Sequence, residues 1–330
     1  MEKKYLTLID GSGYIFRAYF AIKRLEGVNA IFGFCSMLLK VLEEKVNHND
    51  TGHIENEKII IVFDAARKNW RNEVYDQYKA NRTDLPDDLK PQFKPIKECA
   101  EAFGLPTIEM EGYEADDIIA TYAEQAKNNG YITRIISSDK DLMQLVEDNS
   151  VYMYDSMKDK KVDEAAVFEK FGVSPKQVPD AQALIGDSSD NIPGVPNIGP
   201  KKAAKLIQEF GSIENMISNI EGIDNAKTKE TVKDNIDNAE VSKKLATLIR
   251  DIDLETHIND VPHAVINATG LKKIIETFNF RELERRFENT IKKFQDTYGN
   301  EGFDNKDVEL NVPEEITIFK KEKPQQGDLF

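Results

Sequence analysis

Lys58-Ile59-Ile60-Ile61-Val62-Phe63-Asp64 is the stretch that decides the architecture. Its apolar run has no polar alternation, as expected of a strand buried on both faces of a parallel sheet. It is far too short to cross a membrane, and it ends on an acid. Working outward, Tyr5–Ile9 is a second such run and meets Asp10. Ile132–Ile136 is a third and passes through two serines to Asp139 and Asp141. A fourth β-rich run is Val151–Tyr154. Helical patterns such as Phe32–Val46 and Ile118–Lys127 lie between them, and strands alternating with helices indicate an α/β fold with a mostly parallel central sheet flanked by helices.

In an open parallel sheet, ligands sit beyond the carboxyl ends of the strands. Acids after three separate strands are therefore expected to converge on one edge. Gly112-Tyr113-Glu114-Ala115-Asp116-Asp117 opens a helix with three more acids, where one cap would suffice. Glu114 and Asp117 are spaced to share a helix face. Asp139 and Asp141 point to one side if the chain stays extended. Asp187 and Asp190 in Gly186-Asp187-Ser188-Ser189-Asp190-Asn191 complete a set of nine carboxylates with Asp10, Asp64, Glu114, Asp116, Asp117, Asp139 and Asp141. Such a set cannot stay ionised together without cations. An all-oxygen donor set selects two or more Mg²⁺, with Mn²⁺ able to substitute. Paired divalent ions are the standard means of hydrolysing a phosphodiester. Gly11-Ser12-Gly13 lacks the third glycine of a dinucleotide fingerprint and reads as a tight turn.

The chain has 330 residues, enough for two domains, and a net charge of −15. That charge by itself argues against a polyanion partner, so nucleic-acid contacts must rest on local patches. Two cysteines, Cys35 and Cys99, exclude a disulfide scaffold, and no Cys/His cluster has zinc spacing. No signal peptide or membrane segment is evident, so a cytoplasmic location is expected.

Near residue 175 the chain changes character. Pro175, Pro179, Pro193, Pro196 and Pro200 punctuate a region of short helices. Gly194-Val195-Pro196-Asn197-Ile198-Gly199-Pro200-Lys201-Lys202-Ala203-Ala204-Lys205 is similar to a helix-hairpin-helix. There, amides at a helix start grip a phosphate and lysines reach its neighbours. Gly194, Gly199, Lys201, Lys202 and Lys205, with Lys243 and Lys244, are the candidate DNA contacts. In Tyr78-Lys79-Ala80-Asn81-Arg82 the two cations read as sharing a helical face, and Tyr75 and Tyr78 as aromatic platforms for bases.

Together Leu8-Ile9-Asp10-Gly11-Ser12, Val62-Phe63-Asp64, Tyr78–Arg82, Gly112–Asp117, Ser138-Asp139-Lys140-Asp141 and Gly186–Val195 resemble the 5′-nuclease domains of the bacterial DNA polymerase I type, within the flap endonuclease family. The match covers about residues 4–295. The resemblance implies a PIN-like, resolvase-like fold plus a C-terminal helix-hairpin-helix subdomain. It makes the nine acids metal-site carboxylates and places Lys79 and Arg82 as catalytic cations at the base of a helical arch. It further implies K⁺ at the helix-hairpin-helix and DNA with 5′ flaps, nicks or 5′ ends, or RNA–DNA primers, as substrate for a monomeric nuclease. The expected domains are 1–175 (arch about 68–100), 176–297 (helix-hairpin-helix about 186–210) and a flexible tail, 298–330. Departures are the short loop Phe20–Asn29, an insertion over His48–Glu57, and Trp70 in place of Phe.

Two other readings compete: a non-catalytic DNA-junction binder of this fold, for which loss of carboxylates would be the signature, and a PIN-type ribonuclease. The tail ends Gln326-Gly327-Asp328-Leu329-Phe330, which resembles a bacterial sliding-clamp-binding peptide through Gln326, Asp328, Leu329 and Phe330.

Overall fold

The structure, a computed structural model, describes residues 4–23, 25, 27–47, 57–66, 68–156, 158–263, 265–298, 303–304, 310, 312–313 and 316. The clamp-like peptide at 326–330, most of the 298–330 tail and nearly all of the 48–57 insertion lie outside the described residues. The chain opens with β1 (Lys4–Asp10), α1 (Gly11–Ala21), α2 (Asn29–Asn47), β2 (Glu57–Val62), α3 (Trp70–Val74), α4 (Phe93–Ala102) and β3 (Thr107–Ile108). There follow α5 (Ala115–Asn128), β4 (Tyr131–Ile136), β5 (Val151–Asp155), β6 (Lys160–Val162), α6 (Glu164–Phe171) and α7 (Val178–Ile185). The rest is helical apart from two short strands: α8 (Pro200–Phe210), α9 (Ile213–Ser218), α10 (Ala226–Lys233), α11 (Ile236–Ala246), β7 (Ile266–Asn267), α12 (Ala268–Phe278), α13 (Arg281–Tyr298) and β8 (Phe303–Asp304). None of the described helices is long and apolar enough to cross a membrane.

Two compact units are present. One comprises Met1–Asp10, Val62–Thr83 and Glu109–Val261; the other comprises Gly11–Ile61, Asp84–Ile108 and Pro262–Phe330. In the first, β1 and β4 pair in parallel, β4 and β5 pair in parallel, and β6 returns antiparallel to β5. The mostly parallel sheet is thus as expected. Leu6, Leu8, Ile9, Ile135 and Met153 are fully buried, as strands covered on both faces must be. The register places Ile9 opposite Ile136, so Asp10 and Ser137 leave the sheet side by side. Ser137 Oγ donates to Asp10 Oδ2 at 2.8 Å. Beyond the sheet, α7, α8, α9 and α11 pack together, α7 chiefly on α11.

In the second unit α2 packs against α1, α4 and α13. Gln92, fully buried, acts as a long-range cap: its Oε1 accepts from the amides of Ala30 and Ile31 at 3.0 and 3.3 Å, satisfying donors at the start of α2. The described strands of this unit include β2 and β3, whose neighbourhood is fixed by the Ile61 amide donating to Pro106 O at 2.9 Å.

Three local expectations are corrected. Gly11 and Gly13 do not form a tight turn; they lie in the first turn of α1, and neither takes a positive φ. Lys79 and Arg82 do not share a helical face. Residues 76–81 form successive turns, and Lys79 takes φ +56°, which a regular right-handed helix excludes. Asp139 and Asp141 are not joined by extended chain. Asp141 opens a 3₁₀ turn to Leu145 and its amide donates to Asp139 Oδ1 at 2.9 Å, the behaviour of an Asp that folds back on its own backbone.

Candidate active site

All nine sequence-predicted carboxylates, with Lys79 and Arg82, fall in the first unit. Five segments deliver the acids. Asp10 ends β1, and Asp64 follows β2. Glu114, Asp116 and Asp117 start α5, Asp139 and Asp141 follow β4, and Asp187 and Asp190 lie in the turn after α7. Asp64 Oδ1 accepts from the Ala115 amide at 2.8 Å, so one strand-end acid anchors the helix that carries three others.

Asp116 is the centre of repulsion. Its carboxyl is pushed well above the usual carboxylate range, by burial and then by Asp139, Asp10, Glu114 and Asp141. Asp141 is pushed up to about 6, again by burial and by Asp139, against the opposing influence of Lys140 and a hydrogen bond from Gln182. With Asp190, which also pushes Asp141 up, groups on four segments therefore feel one another's charge. Among the described residues no three His, Cys, Asp or Glu side chains already stand close enough to hold an ion. The acids instead turn to resident cations: Lys79 Nζ lies 2.5 Å from Glu114 Oε1, Arg82 Nη2 lies 2.5 Å from Asp190 Oδ1, and Lys140 Nζ bonds Asp187.

Asp117 corrects the metal-ligand expectation. Its side chain is fully buried and its two oxygens are already engaged. Arg71 donates to both, at 2.6 and 2.8 Å; the Trp70 indole donates at 3.1 Å and the Ile249 amide at 3.0 Å. Neither oxygen is left to face an ion. Trp70, the departure noted in the sequence, supplies a hydrogen bond that Phe cannot. Arg71, only 1% exposed, also donates through Nε to Leu245 O at 2.8 Å and lies 3.5 Å from Glu114 Oε2. Sequence reasoning missed Arg71. A lone Arg in a charged stretch carries no signal, though the three residues Asn69-Trp70-Arg71 beside a helix start were a faint one.

Glu114 collects three donors, Asn69 Nδ2 at 2.8 Å, Lys79 and Tyr78 Oη at 3.1 Å, and is ion-paired with Arg71 at 3.5 Å. Burial pushes its carboxyl up, but Lys79 and Arg71 outweigh burial and hold it below the ordinary value. Tyr78 is not a base-stacking platform: it is buried, its hydroxyl reaches both Glu114 and Asp190, and it packs with Ile192 and Leu245. The segment 77–82 is clasped to the 187–192 turn. The Lys79 amide donates to Asp190 O at 2.9 Å, Asn81 Nδ2 to Ser188 O at 2.6 Å, and Asn191 Nδ2 to Gln77 O at 2.7 Å.

The glycines that close this turn show why no other residue fits. Gly186 takes φ +72° and Gly194 φ +62°, and a Cβ on Gly194 would meet Gly186 N at 2.5 Å. The Gly194 amide is already taken by buried Ser242 Oγ at 2.9 Å, so Gly194 shapes the hairpin and offers no amide to a phosphate. Gly199 caps α8, and Lys201, Lys202 and Lys205 project from its exposed face while Ala203, Ala204, Leu206 and Ile207 are buried. Lys244 is exposed. Lys243 departs from expectation: its Nζ is held by Asp180 at 2.7 Å and by Glu214 at 2.7 and 2.8 Å.

Taken with this geometry, the family models are decisive. A model described as the 5′-3′ exonuclease N-terminal resolvase-like domain matches residues 5–172, and one described as the 5′-3′ exonuclease C-terminal SAM fold matches residues 173–269. The chain belongs to the 5′-3′ exonuclease family. It is 35% identical to the 5′-3′ exonuclease of Aquifex aeolicus, over 85% of this chain and 94% of that one. It is 45% identical to DNA polymerase I of Rhizobium leguminosarum over 86% of this chain, but spans only 28% of that protein's length. Among solved structures, T5 5′-exonuclease with bound zinc ions has the same fold at TM-score 0.63 and 19% identity, covering 88% of this chain and 99% of that chain. The catalytic core of Rad2 in complex with DNA substrate follows at TM-score 0.59 and 17% identity, covering 88% and 93%.

Proposed function

We propose that the chain is a structure-specific 5′-nuclease that hydrolyses phosphodiester bonds at 5′ ends and 5′ flaps of DNA and at RNA primers. The observation that carries this reading is that five segments deliver nine carboxylates to one unit, where Asp139, Asp10, Glu114 and Asp141 all push the Asp116 carboxyl up. The all-oxygen chemistry of the set fits hard divalent cations, Mg²⁺ with Mn²⁺ as a substitute. Asp10, Asp64, Glu114, Asp116, Asp139 and Asp141, with Asp187 and Asp190, are the residues that would hold them. When bound, such ions polarise water and stabilise charge on the transferring phosphoryl group.

The chain's own residues supply the rest. Lys79 and Arg82 bring fixed positive charge to where charge grows on a phosphate in the transition state. Arg71 and Asp117 hold the start of α5, and with it Glu114 and Asp116. Gly199, Lys201, Lys202 and Lys205 grip the sugar–phosphate backbone without reading bases, and the exposed Lys244 belongs with them. The intact carboxylate set disfavours a non-catalytic junction binder. A 5′-flap duplex with Mg²⁺, beside single-stranded RNA and a metal-free control, tests the proposal. Cleavage of the flap only with metal is expected, and preferential cleavage of single-stranded RNA would favour the ribonuclease reading.

The proposal extends to a monomeric, cytoplasmic protein with K⁺ at the helix-hairpin-helix. It also extends to a sliding-clamp partner for Gln326–Phe330, tested by titrating clamp against a labelled peptide of that sequence.

A further inference from the structure

Lys140 stands between Asp139 and Asp141, and the carboxylate pattern gives it no role. Its Nζ bonds Asp187 Oδ2 and lies 3.8 Å from Asp141 Oδ1. One ammonium thus bridges a carboxylate from the turn after β4 and one from the turn after α7. A second, independent observation marks the same place. Gln182, 2% exposed, donates Nε2 to Asp141 Oδ1, while its Oε1 is buried with no hydrogen-bond partner among the described residues. A buried amide oxygen without a donor is costly, and it suits the hydration shell of a cation held beside Asp141.

The two lysines among the resident cations differ in how firmly they are held. Lys79 retains 18% side-chain exposure and is bound to Glu114 with its ammonium 5.0 Å from the Tyr78 ring centroid. Lys140 retains 35%, and its long stem lets the head group swing to water. A single positive charge between two carboxylates is also a weaker neutraliser than a doubly charged ion of similar reach.

Resting on the divalent-cation reading above, we propose that Lys140 is a displaceable counter-cation. Its ammonium holds the Asp141–Asp187 side of the site together until a divalent ion takes its place, and so sets the ion concentration at which that side fills. Gln182 keeps Asp141 oriented through the exchange and presents its carbonyl oxygen to the incoming ion's water.

The test is a Mn²⁺ titration of the DNA-free chain, with free Mn²⁺ read by electron paramagnetic resonance and melting followed in EDTA. The variants are Lys140→Met and Lys140→Arg, with Lys140→Gln in reserve should Met fail to fold. The expected result is Mn²⁺ binding about tenfold tighter in Lys140→Met, with a lower melting temperature in EDTA and a larger rise on adding Mn²⁺. Lys140→Arg should stay near wild type, because it keeps the charge. Unchanged or weaker Mn²⁺ binding by the Met variant, beside a wild type that binds normally, would overturn the inference and leave Lys140 a structural prop. A wild type without saturable Mn²⁺ binding would instead overturn the divalent-cation reading itself, and this inference with it.

Discussion

The guanidinium of Arg71 meets the carboxylate of Asp117 through two parallel hydrogen bonds of 2.6 and 2.8 Å, and neither side chain is more than 2% exposed. This fork-to-fork pair joins α3 to the start of α5, and the Nε of the same arginine ties both to the end of α11. Breaking a buried pair from one side leaves an uncompensated charge and typically costs about 3–5 kcal/mol. Arg71→Leu should therefore lose stability on that scale in urea denaturation. Arg71→Lys should not restore it, because an ammonium cannot present two parallel donors. A leucine variant as stable as wild type would show that the pair does not hold the frame.

Asp116 and Asp117 are neighbours in sequence with opposite expected behaviour. Asp116→Asn removes a charge that others repel, so stability in EDTA should hold or rise, while stabilisation by Mg²⁺ and flap cleavage are lost. Asp117→Asn should destabilise the fold whether metal is present or not. Melting curves of both variants, with and without Mg²⁺, check this, and equal behaviour of the two would refute the division of roles.

Stability should also depend on pH in a particular direction. Asp141 is raised from 3.8 to about 6, and Asp116 is raised as well. The native state therefore holds protons that the unfolded chain has released. Stability is present at low pH and falls as pH climbs from the ordinary carboxylate value through the raised one. Divalent ions offset the repulsion that causes the shift, so the gain in melting temperature from Mg²⁺ should be larger at pH 7.5 than at about pH 5. A gain independent of pH would dissociate the raised groups from the ion site.

Lys79→Ala should slow single-turnover flap cleavage by roughly a hundred- to a thousandfold, the usual cost of losing one transition-state donor, while DNA affinity changes little. Loss of affinity at an unchanged rate would make Lys79 a substrate-positioning contact.

Changing Lys201 and Lys202 to Ala should reduce the slope of log affinity against log salt by about one to two units. Lys243→Ala should leave that slope alone and lower the melting temperature, because Lys243 is committed to Asp180 and Glu214. A reduced slope in the Lys243 variant would return it to the DNA-binding set.

Much of this site is legible in the sequence, and the illegible part has a common cause. The apolar run through Ile59–Val62 and the acids beyond each strand follow from the two-faced burial of a parallel sheet, a property of the local chain. The expected strands and helices accordingly appear within a few residues, although the short β3 and β6 carry too little pattern to be seen. Asp117 is different. Successive residues on a helix point about 100° apart, so Asp116 and Asp117 face different surroundings, and only tertiary structure decides which meets the arginine. Likewise, nothing in Tyr78-Lys79-Ala80 forces the left-handed backbone at Lys79. That conformation is held by the Asp190 carbonyl, which accepts the Lys79 amide from the far turn.

The clasp between segment 77–82 and turn 187–192 bears on how such a chain can be taken apart. The two family models meet at residues 172 and 173, yet Glu114, Lys79 and Asp190 form one bonded cluster across that line. The C-terminal part is therefore not an accessory grip attached to a finished acidic site. A chimera that exchanges residues 173–269 for those of a relative would import two of the site's acids and the carbonyls that fix Lys79 and Asn81. The unit of inheritance for the proposed activity is the pair of segments together, and the family boundary marks a seam in sequence that the bonded cluster crosses.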